Sequence, residues 1–260
     1  MNNKITDTEL SMLLNNATAI DYEDRLHMLA ISLFTWKGLD DIAGFGASHF
    51  IEESLYRYGK ACIVKDDEIG IKALNVTTAG KLNIYYLPVK VNAFSTGYNK
   101  IYDFDDVVYI MNNELQKPTK DTLTLFAARL YETERTSDVN LQAQKTPVLI
   151  EGDKNVLLTL KNTYMQYSGN MPVIYADKNI SPNSIKVLQT GAPYLADRLA
   201  SLKTQIWNEA LTYLGISNVN IVKKERLISD EVLRNQGGTV ASRYSRLNSR
   251  KQACEQINKM

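Results

Sequence analysis

At 260 residues the chain is long enough to bury a real core, as one large domain or two modest ones. Its 44% hydrophobic and 23% charged residues are those of a soluble globular protein. Thirty basic against twenty-nine acidic residues leave a formal charge of +1, which excludes the strongly basic class that grips nucleic acid by displacing many counterions. Cys62 and Cys254 lie far apart with no CxxC pair, so a reducing compartment is expected and no disulfide framework. No run of about eighteen apolar residues occurs, and MNNKITDTEL lacks a basic stretch followed by an apolar one. The expectation is a soluble intracellular product, with no membrane span and no secretory signal.

The chain opens on a capping-box pattern, Thr6-Asp7-Thr8-Glu9, which predicts a short helix through Leu14. A second helix is predicted over residues 21–37, with Leu26, Leu29, Ala30, Leu33, Phe34 and Trp36 on its apolar side and Gly38 as its stop. After a turn-rich connection, Ser48 is the expected cap of a third helix that ends at Gly59. From Cys62 to Met111 the pattern changes to short apolar runs: ACIV, GIKALNV, LNIYYL, VKVNAF and DVVYIM. Each is bounded by Asp, Asn, Gly or Pro, which predicts a β-rich subdomain.

Residues 118–216 form the organising stretch, two amphipathic helices around a compact insert. The first helix, residues 122–144, lies between Pro118-Thr119 and Pro147. Leu123, Phe126, Leu130, Val139 and Leu141 are its apolar positions, whereas residues 132–138 are polar nearly all round and must meet solvent or a neighbouring subunit. TPVLIEGD, MPVIYAD and SIKVLQT are strand candidates in the insert, which reads as a small barrel or sandwich. The second helix has Pro193 at a tolerant first position and Gly215 where a left-handed cap is wanted. Leu195, Leu199, Leu202, Ile206 and Leu214 make one stripe, flanked by Trp207, Ala210 and Tyr213, while Asp197, Lys203, Thr204, Asn208 and Thr212 lie opposite. Beyond it come Lys223-Lys224-Glu225-Arg226, a flexible break at Asn235-Gln236-Gly237-Gly238, and a basic segment that ends helical.

Catalytic chemistry is hard to place on these residues. His27 and His49 have no partner at metal-ligand spacing, and Gly44-Phe45-Gly46-Ala47-Ser48-His49 lacks both the last glycine of a dinucleotide fingerprint and the Gly-Lys-Ser/Thr of a P-loop. Asp66-Asp67-Glu68 and Asp103-Phe104-Asp105-Asp106 read as solvated turns before they read as a cation site. No Ser or Cys has a nucleophile's setting, and no cofactor is implied. Arg243, Arg246 and Arg250 fall at i, i+3 and i+7, with Tyr244 and Lys251 nearby, so they share one helical face. That face would suit phosphate or an acidic partner, or would simply be solvated.

Certain words of the sequence go further. Phe126-Ala127-Ala128, Asn140-Leu141-Gln142-Ala143-Gln144-Lys145-Thr146-Pro147-Val148-Leu149-Ile150, Met171-Pro172-Val173-Ile174, Ala192-Pro193-Tyr194, Trp207-Asn208-Glu209, Leu214-Gly215-Ile216, Lys223-Lys224-Glu225-Arg226 and Ser229-Asp230-Glu231-Val232 occur in this order. Together they resemble the head-tail connector, portal or upper collar protein, of small protein-primed podophages of the Picovirinae type. The likeness is close over residues 119–232, continues through Ala253-Cys254-Glu255-Gln256-Ile257-Asn258, and is weaker before Thr119.

The resemblance implies an α+β portal fold with long stem helices, a small β-rich clip and a mixed α/β wing. The expected parts are residues 1–117 (N-terminal helices and β-rich part of the wing), 118–145 (first stem helix), 146–192 (clip), 193–216 (second stem helix) and 217–260 (channel loop and C-terminal wing). It further implies a dodecameric ring at one capsid vertex of the virion, made in the host cytoplasm. The implied partners are double-stranded DNA, major capsid and scaffolding proteins, a packaging ATPase, and lower collar or tail proteins.

Arg198 stands where the family has a channel-facing Lys, and Gln189 where it has a second. Lys203, Arg234, Arg243 and Arg246 complete the expected DNA-channel set. Residues 227–245, with Asp230, Glu231, Asn235 and a Gly237-Gly238 hinge, correspond to the family's channel loop. Leu195, Leu199, Leu202, Ile206 and Trp207 are the expected subunit interface. The family's basic N-terminal arm, linked to a packaging RNA, has no counterpart in MNNKITDTELSMLL, so RNA binding is not carried over. Relatives also continue past the position of Met260 with a further strand and helix, so a shorter or truncated member is expected. The alternatives are a lower collar or other tail component, and an enzyme with an unrecognised site.

Overall fold

The computed structural model describes residues 7–144, 148–150, 185–187, 191, 193–218 and 229–260. Two compact units are present: Met1–Thr133 with Leu202–Met260, and Glu134–Ser201. The secondary structure is the mixed helix-and-strand kind that the sequence predicts.

In the larger unit, α1 runs unbroken over Asp7–Ile31. It replaces the two helices expected there, because nothing between Leu14 and Asp21 is a Gly or Pro that would stop it. It also ends six residues before the expected Lys37. Ser32 Oγ donates to Met28 O at 2.7 Å, and the chain then leaves the helix so that Trp36 can enter the core. α2 (Leu39–Ala43) and α3 (Ala47–Tyr58) follow. Capping of α3 falls to Asp40, whose Oδ1 accepts from the Ser48 backbone N–H at 2.7 Å, and not to the Ser48 side chain as expected. That contact holds the Asp40 carboxyl below its ordinary value. Gly59 closes α3 at φ 76°, and a Cβ there would lie 2.3 Å from Gln116 O, so only glycine fits.

Five antiparallel strands come next: β1 (Lys60–Asp66), β2 (Gly70–Leu82), β3 (Pro88–Ser95), β4 (Tyr98–Asp103) and β5 (Val107–Met111), in sheet order β4-β3-β2-β1-β5. β2 changes partner along its length, pairing Leu74 with Cys62 of β1 but Asn75 with Phe94 of β3. The sheet also curls. Asp66 at the end of β1 accepts from Lys100 Nζ at 2.6 Å and Tyr102 OH at 2.7 Å, both on the non-adjacent strand β4. β4 carries little apolar signal, YNKIYD, and is additional to the runs expected from the sequence. LNIYYL is not a strand: Leu82 ends β2, and the Asn83 side chain takes the N–H groups of Tyr85 and Leu87 to form a hairpin turn.

Ala61–Val64 of β1 is apolar without interruption because both faces of the strand are covered there. Ala61 and Ile63 join Trp36, Leu39, Ile51, Leu55, Val108, Ile110 and Ala253. Cys62 and Val64 point the other way, with Leu74, Val76, Val91, Ala93 and Val107. Two further helices are α4 (Thr119–Gln144) and α5 (Ala196–Leu214). A third cluster packs Tyr22, Leu26 and Ala30 of α1 and Tyr56 of α3 against Leu123, Ala127 and Leu130 of α4 and Ile206, Ala210 and Leu214 of α5. Each fully buried Leu or Ile contributes about 1.5–3 kcal/mol by leaving water.

The smaller unit holds β6 (Val148–Ile150) and β7 (Ile185–Val187), an antiparallel pair in the register Val148↔Val187. MPVIYAD and Gln189 lie outside the described residues. α5 starts at Ala196, three residues later than Pro193 suggested. Buried Asn140 donates from Nδ2 to Pro193 O at 2.8 Å and accepts at Oδ1 from Leu195 N at 3.0 Å, and its amide holds the entering chain out of the helix.

Candidate functional site

The last helix, α6 (Ser229–Ile257), carries the arginine face. Its helical register does bring Arg243, Arg246 and Arg250 to one side, but Arg246 and Arg250 are buried there and only Arg243 is exposed. Arg250 forks onto Glu52 of α3, with Nε to Oε1 at 2.7 Å and Nη2 to Oε2 at 2.7 Å. Both side chains are nearly sealed from water, at 6% and 4% exposure. Trp36 Nε1 donates to Glu52 Oε1 at 2.8 Å, Arg250 Nη1 donates to Arg246 O, and the guanidinium lies 4.3 Å from the Phe34 ring centre. Asn112, also buried, links this network to the start of α4. Its Nδ2 donates to Thr119 Oγ1 at 2.8 Å and to Lys117 O at 3.0 Å.

Arg246 is 4% exposed and stacks 4.6 Å above the Tyr213 ring. Burial draws its pKa down, with the Arg250 charge adding to the effect. A guanidinium so enclosed within its own unit packs helices together, and its expected place on a DNA-facing surface is corrected accordingly. Arg243 is exposed but tied: Nε donates to Gly215 O at 2.8 Å and Nη2 to Ser217 Oγ at 3.3 Å. Ser242 Oγ donates to Tyr213 O. Gly215 ends α5 at φ 80°, and a Cβ there would come within 2.8–2.9 Å of the Arg243 Cβ, Cα and N. The end of α5 therefore abuts the α6 backbone, and glycine is required by conformation and by space alike.

The expected flexible break is helical. α6 runs through Gly237 and Gly238, neither of which has a positive φ, and a Cβ at Gly238 would meet only Thr212 Cγ2 at 3.8 Å. Two consecutive glycines still weaken a helix by roughly 1 kcal/mol each relative to alanine. Asp230, Glu231, Arg234 and Asn235 lie on the first turns of this helix, and their side chains fall outside the described residues, as do Lys223-Lys224-Glu225-Arg226, Leu227 and Ile228.

The remaining expected positions divide between the units. Arg198, on the first turn of α5 in the smaller unit, is exposed, and Leu195 and Leu199 there are half-buried. In the larger unit Lys203 is half-buried with Nζ 5.8 Å from the Tyr22 ring centre. Leu202 is 42% exposed. Ile206, at 2%, belongs to the chain's own core, and Trp207 packs on the same cluster. For Ile206 the expected subunit contact is thus corrected, because it has no surface left to give a neighbour. Exposed apolar side chains do occur elsewhere on α4, at Leu125 (67%), Val139 (55%) and Leu141 (46%).

The other chemical candidates resolve into structural contacts. His27 Nε2 lies 2.7 Å from Glu53 Oε2 and stacks on Tyr56. Asp66 is engaged by Lys100, Tyr102 and the Glu68 N–H, which hold its carboxyl far below the usual carboxylate range. No group of three or more His, Cys, Asp or Glu suited to a metal ion occurs among the described residues, and no described helix is long and apolar enough to cross a membrane. A groove of about 400 Å³ runs between β5 and α6, lined by Phe104, Val107, Met111, Ala253 and Met260 among others. Glu52, Asn112 and Asn140 escaped the sequence reading. The one available signal was for Glu52, a carboxylate on the apolar side of α3 beside Ile51 and Leu55.

The family model described as Phage Connector (GP10) matches residues 3–260, and the chain belongs to that family. It is a family of portal proteins, structural components of the bacteriophage virion. The chain is also similar to a chain in the portal and tail of native bacteriophage P68, at 13% identity, with 96% of this chain and 86% of that one covered and a TM-score of 0.46. An HK97 family phage portal protein from Corynebacterium diphtheriae is similar at 12% identity, with 94% and 89% covered and a TM-score of 0.39. The family match, rather than these distant likenesses, carries the assignment.

Proposed function

We propose that the chain assembles into a closed, dodecameric ring at one capsid vertex, as an upper collar whose central channel passes double-stranded DNA during packaging and ejection. The observation that carries this reading is the family match across residues 3–260. The ring's role is geometric and electrostatic rather than catalytic. In this reading residues 118–145 and 193–216 are the stem, residues 146–192 the clip, and the remainder the wing. The ring meets the major capsid and scaffolding proteins, then the packaging ATPase, then the lower collar and tail. The subunit is made in the host cytoplasm and ends in the virion.

A near-neutral chain suits a channel through which DNA must slide, since each phosphate contact adds to a salt-dependent grip. A few rings of charge suffice, and exposed Arg198 is the leading candidate for one. The test places a cysteine there, Arg198→Cys, in a Cys254→Ser background, and attaches a bulky maleimide after assembly. Packaging of full-length DNA should fall sharply in labelled particles and not in unlabelled ones. Equal packaging in both would overturn the assignment of Arg198 to the channel.

A further inference from the structure

Two exposed aromatic patches of the larger unit have no part in the stem or the channel. The hairpin between β2 and β3 presents Ile84, Tyr85 and Tyr86 at 83%, 75% and 82% exposure, with Leu82 and Val89 half-open beside them. This turn is built rather than loose. Asn83 Oδ1 accepts from Tyr85 N at 2.9 Å and Leu87 N at 3.0 Å, Asn83 N donates to Leu87 O at 2.8 Å, and Tyr86 is held at φ 60°. A left-handed tyrosine is uncommon and costs energy, yet the structure keeps it while turning both rings to solvent. At about 150–250 Å² per aromatic side chain, the two tyrosines offer about 300–500 Å², and Ile84, Leu82 and Val89 add to it. A contiguous apolar patch of this size on a monomer is often functional.

The second patch is Phe45, fully exposed between Gly44 and Gly46, with Ile42 half-open next to it. Its loop is equally fixed. Gly44 N donates to Asp40 O at 3.1 Å, Ala47 N donates to Gly44 O at 3.1 Å, and Lys72 Nζ donates to Ala43 O at 3.0 Å. Lys72 lies near the start of β2 and the hairpin at its end. Ten residues of extended strand separate them, about 33 Å at full length. Two unlike, rigid apolar knobs at opposite ends of one strand do not satisfy each other within a subunit. A head-to-tail contact satisfies both on every copy, and it is the kind of contact that closes a ring.

We propose that the hairpin tip of one subunit, Tyr85 and Tyr86 foremost, docks on the Ile42/Phe45 loop of the next copy, making a subunit contact in the wing. The proposal rests on the ring reading above, and the test separates the two. Phe45→Cys and Tyr85→Cys are introduced together in a Cys254→Ser background. The remaining Cys62 is buried, and burial pushes its thiol up to about 12, so it stays unreactive. Assembled protein is treated with a short bis-maleimide and run on a denaturing gel.

The expected result is a ladder reaching the full ring size from the double variant, and monomer from either single-cysteine variant. Rings by native mass that give no ladder would overturn this contact and leave the ring reading standing. Dimers from Tyr85→Cys alone would also overturn it, since they would mean that tip meets tip. A protein that stays monomeric at micromolar concentration would overturn both.

Discussion

Removing one half of the Glu52–Arg250 pair should be among the most damaging single changes in the larger unit. In Glu52→Ala the Arg250 guanidinium keeps its burial but loses both 2.7 Å bonds, and it faces Arg246 one turn away, which is itself 4% exposed. The Trp36 indole loses its acceptor as well. Breaking a buried ion pair from one side costs about 3–5 kcal/mol, because an uncompensated charge is left behind. At roughly 2–4 °C per kcal/mol for a chain of this size, the Tm should fall by on the order of 10 °C. Replacing both partners by Glu52→Met and Arg250→Met removes the charges together and should recover most of the loss, to within about 1–2 kcal/mol of the parent. The assay is urea denaturation followed by tryptophan fluorescence at fixed protein concentration, since Trp36 sits on the pair and assembly makes stability concentration-dependent. A Glu52→Ala loss under about 1 kcal/mol, or a double variant as unstable as the two singles added, would refute the reasoning.

Other outcomes follow from the same contacts. Gly215→Ala puts a Cβ into the Arg243 backbone and strains φ 80°. It should lower stability by about 2 kcal/mol or more, and an unchanged urea midpoint would contradict the described crossing of α5 and α6. Asp66 has its folded pKa depressed below 3.8. Its contribution is therefore present above that value and lost as pH falls below it. Asp66→Asn should be less stable than the parent at neutral pH, with the gap beginning to shrink only as pH falls below 3.8 and persisting well into the acid range, and a gap independent of pH would count against the Lys100 and Tyr102 contacts. Replacing residues 227–236 by a short linker spares Thr239, which is 1% exposed, and the tethered Arg243. Rings should still form but lose packaged DNA, measured as genome retained per particle, and full retention would remove this segment from DNA holding.

The helices with strong punctuation were legible: Gly59 and Gly215 end α3 and α5 where the residue pattern put their caps. Continuous apolar ACIV was legible as a strand and explained only by the structure, where both faces of β1 are buried. Side chains that bind backbone caused most misreadings. Asn83 turned an apolar run into a hairpin, Asn140 delayed α5, and Asp40 displaced Ser48 as a cap. For Asp40 and Asn140 local pattern does not reveal this, because donor and acceptor are 8 and 55 residues apart; at Asn83 the partners are local, and the apolar run masked the turn. The arginine spacing on α6 was read correctly as one face, but not its direction. Which way a cationic face turns depends on Glu52 and Tyr213, on other helices. Apolar spacing likewise could not separate Ile206, spent on the chain's own core, from Leu202, left open.

If the chain closes into a ring around a pore, native mass measurement of the purified protein, with electron micrographs viewed down the symmetry axis, will show it. A single closed species with a central hole, at the mass of a dodecamer, is the predicted result. A monomer at micromolar concentration, or an open and unbounded series of oligomers, would contradict it.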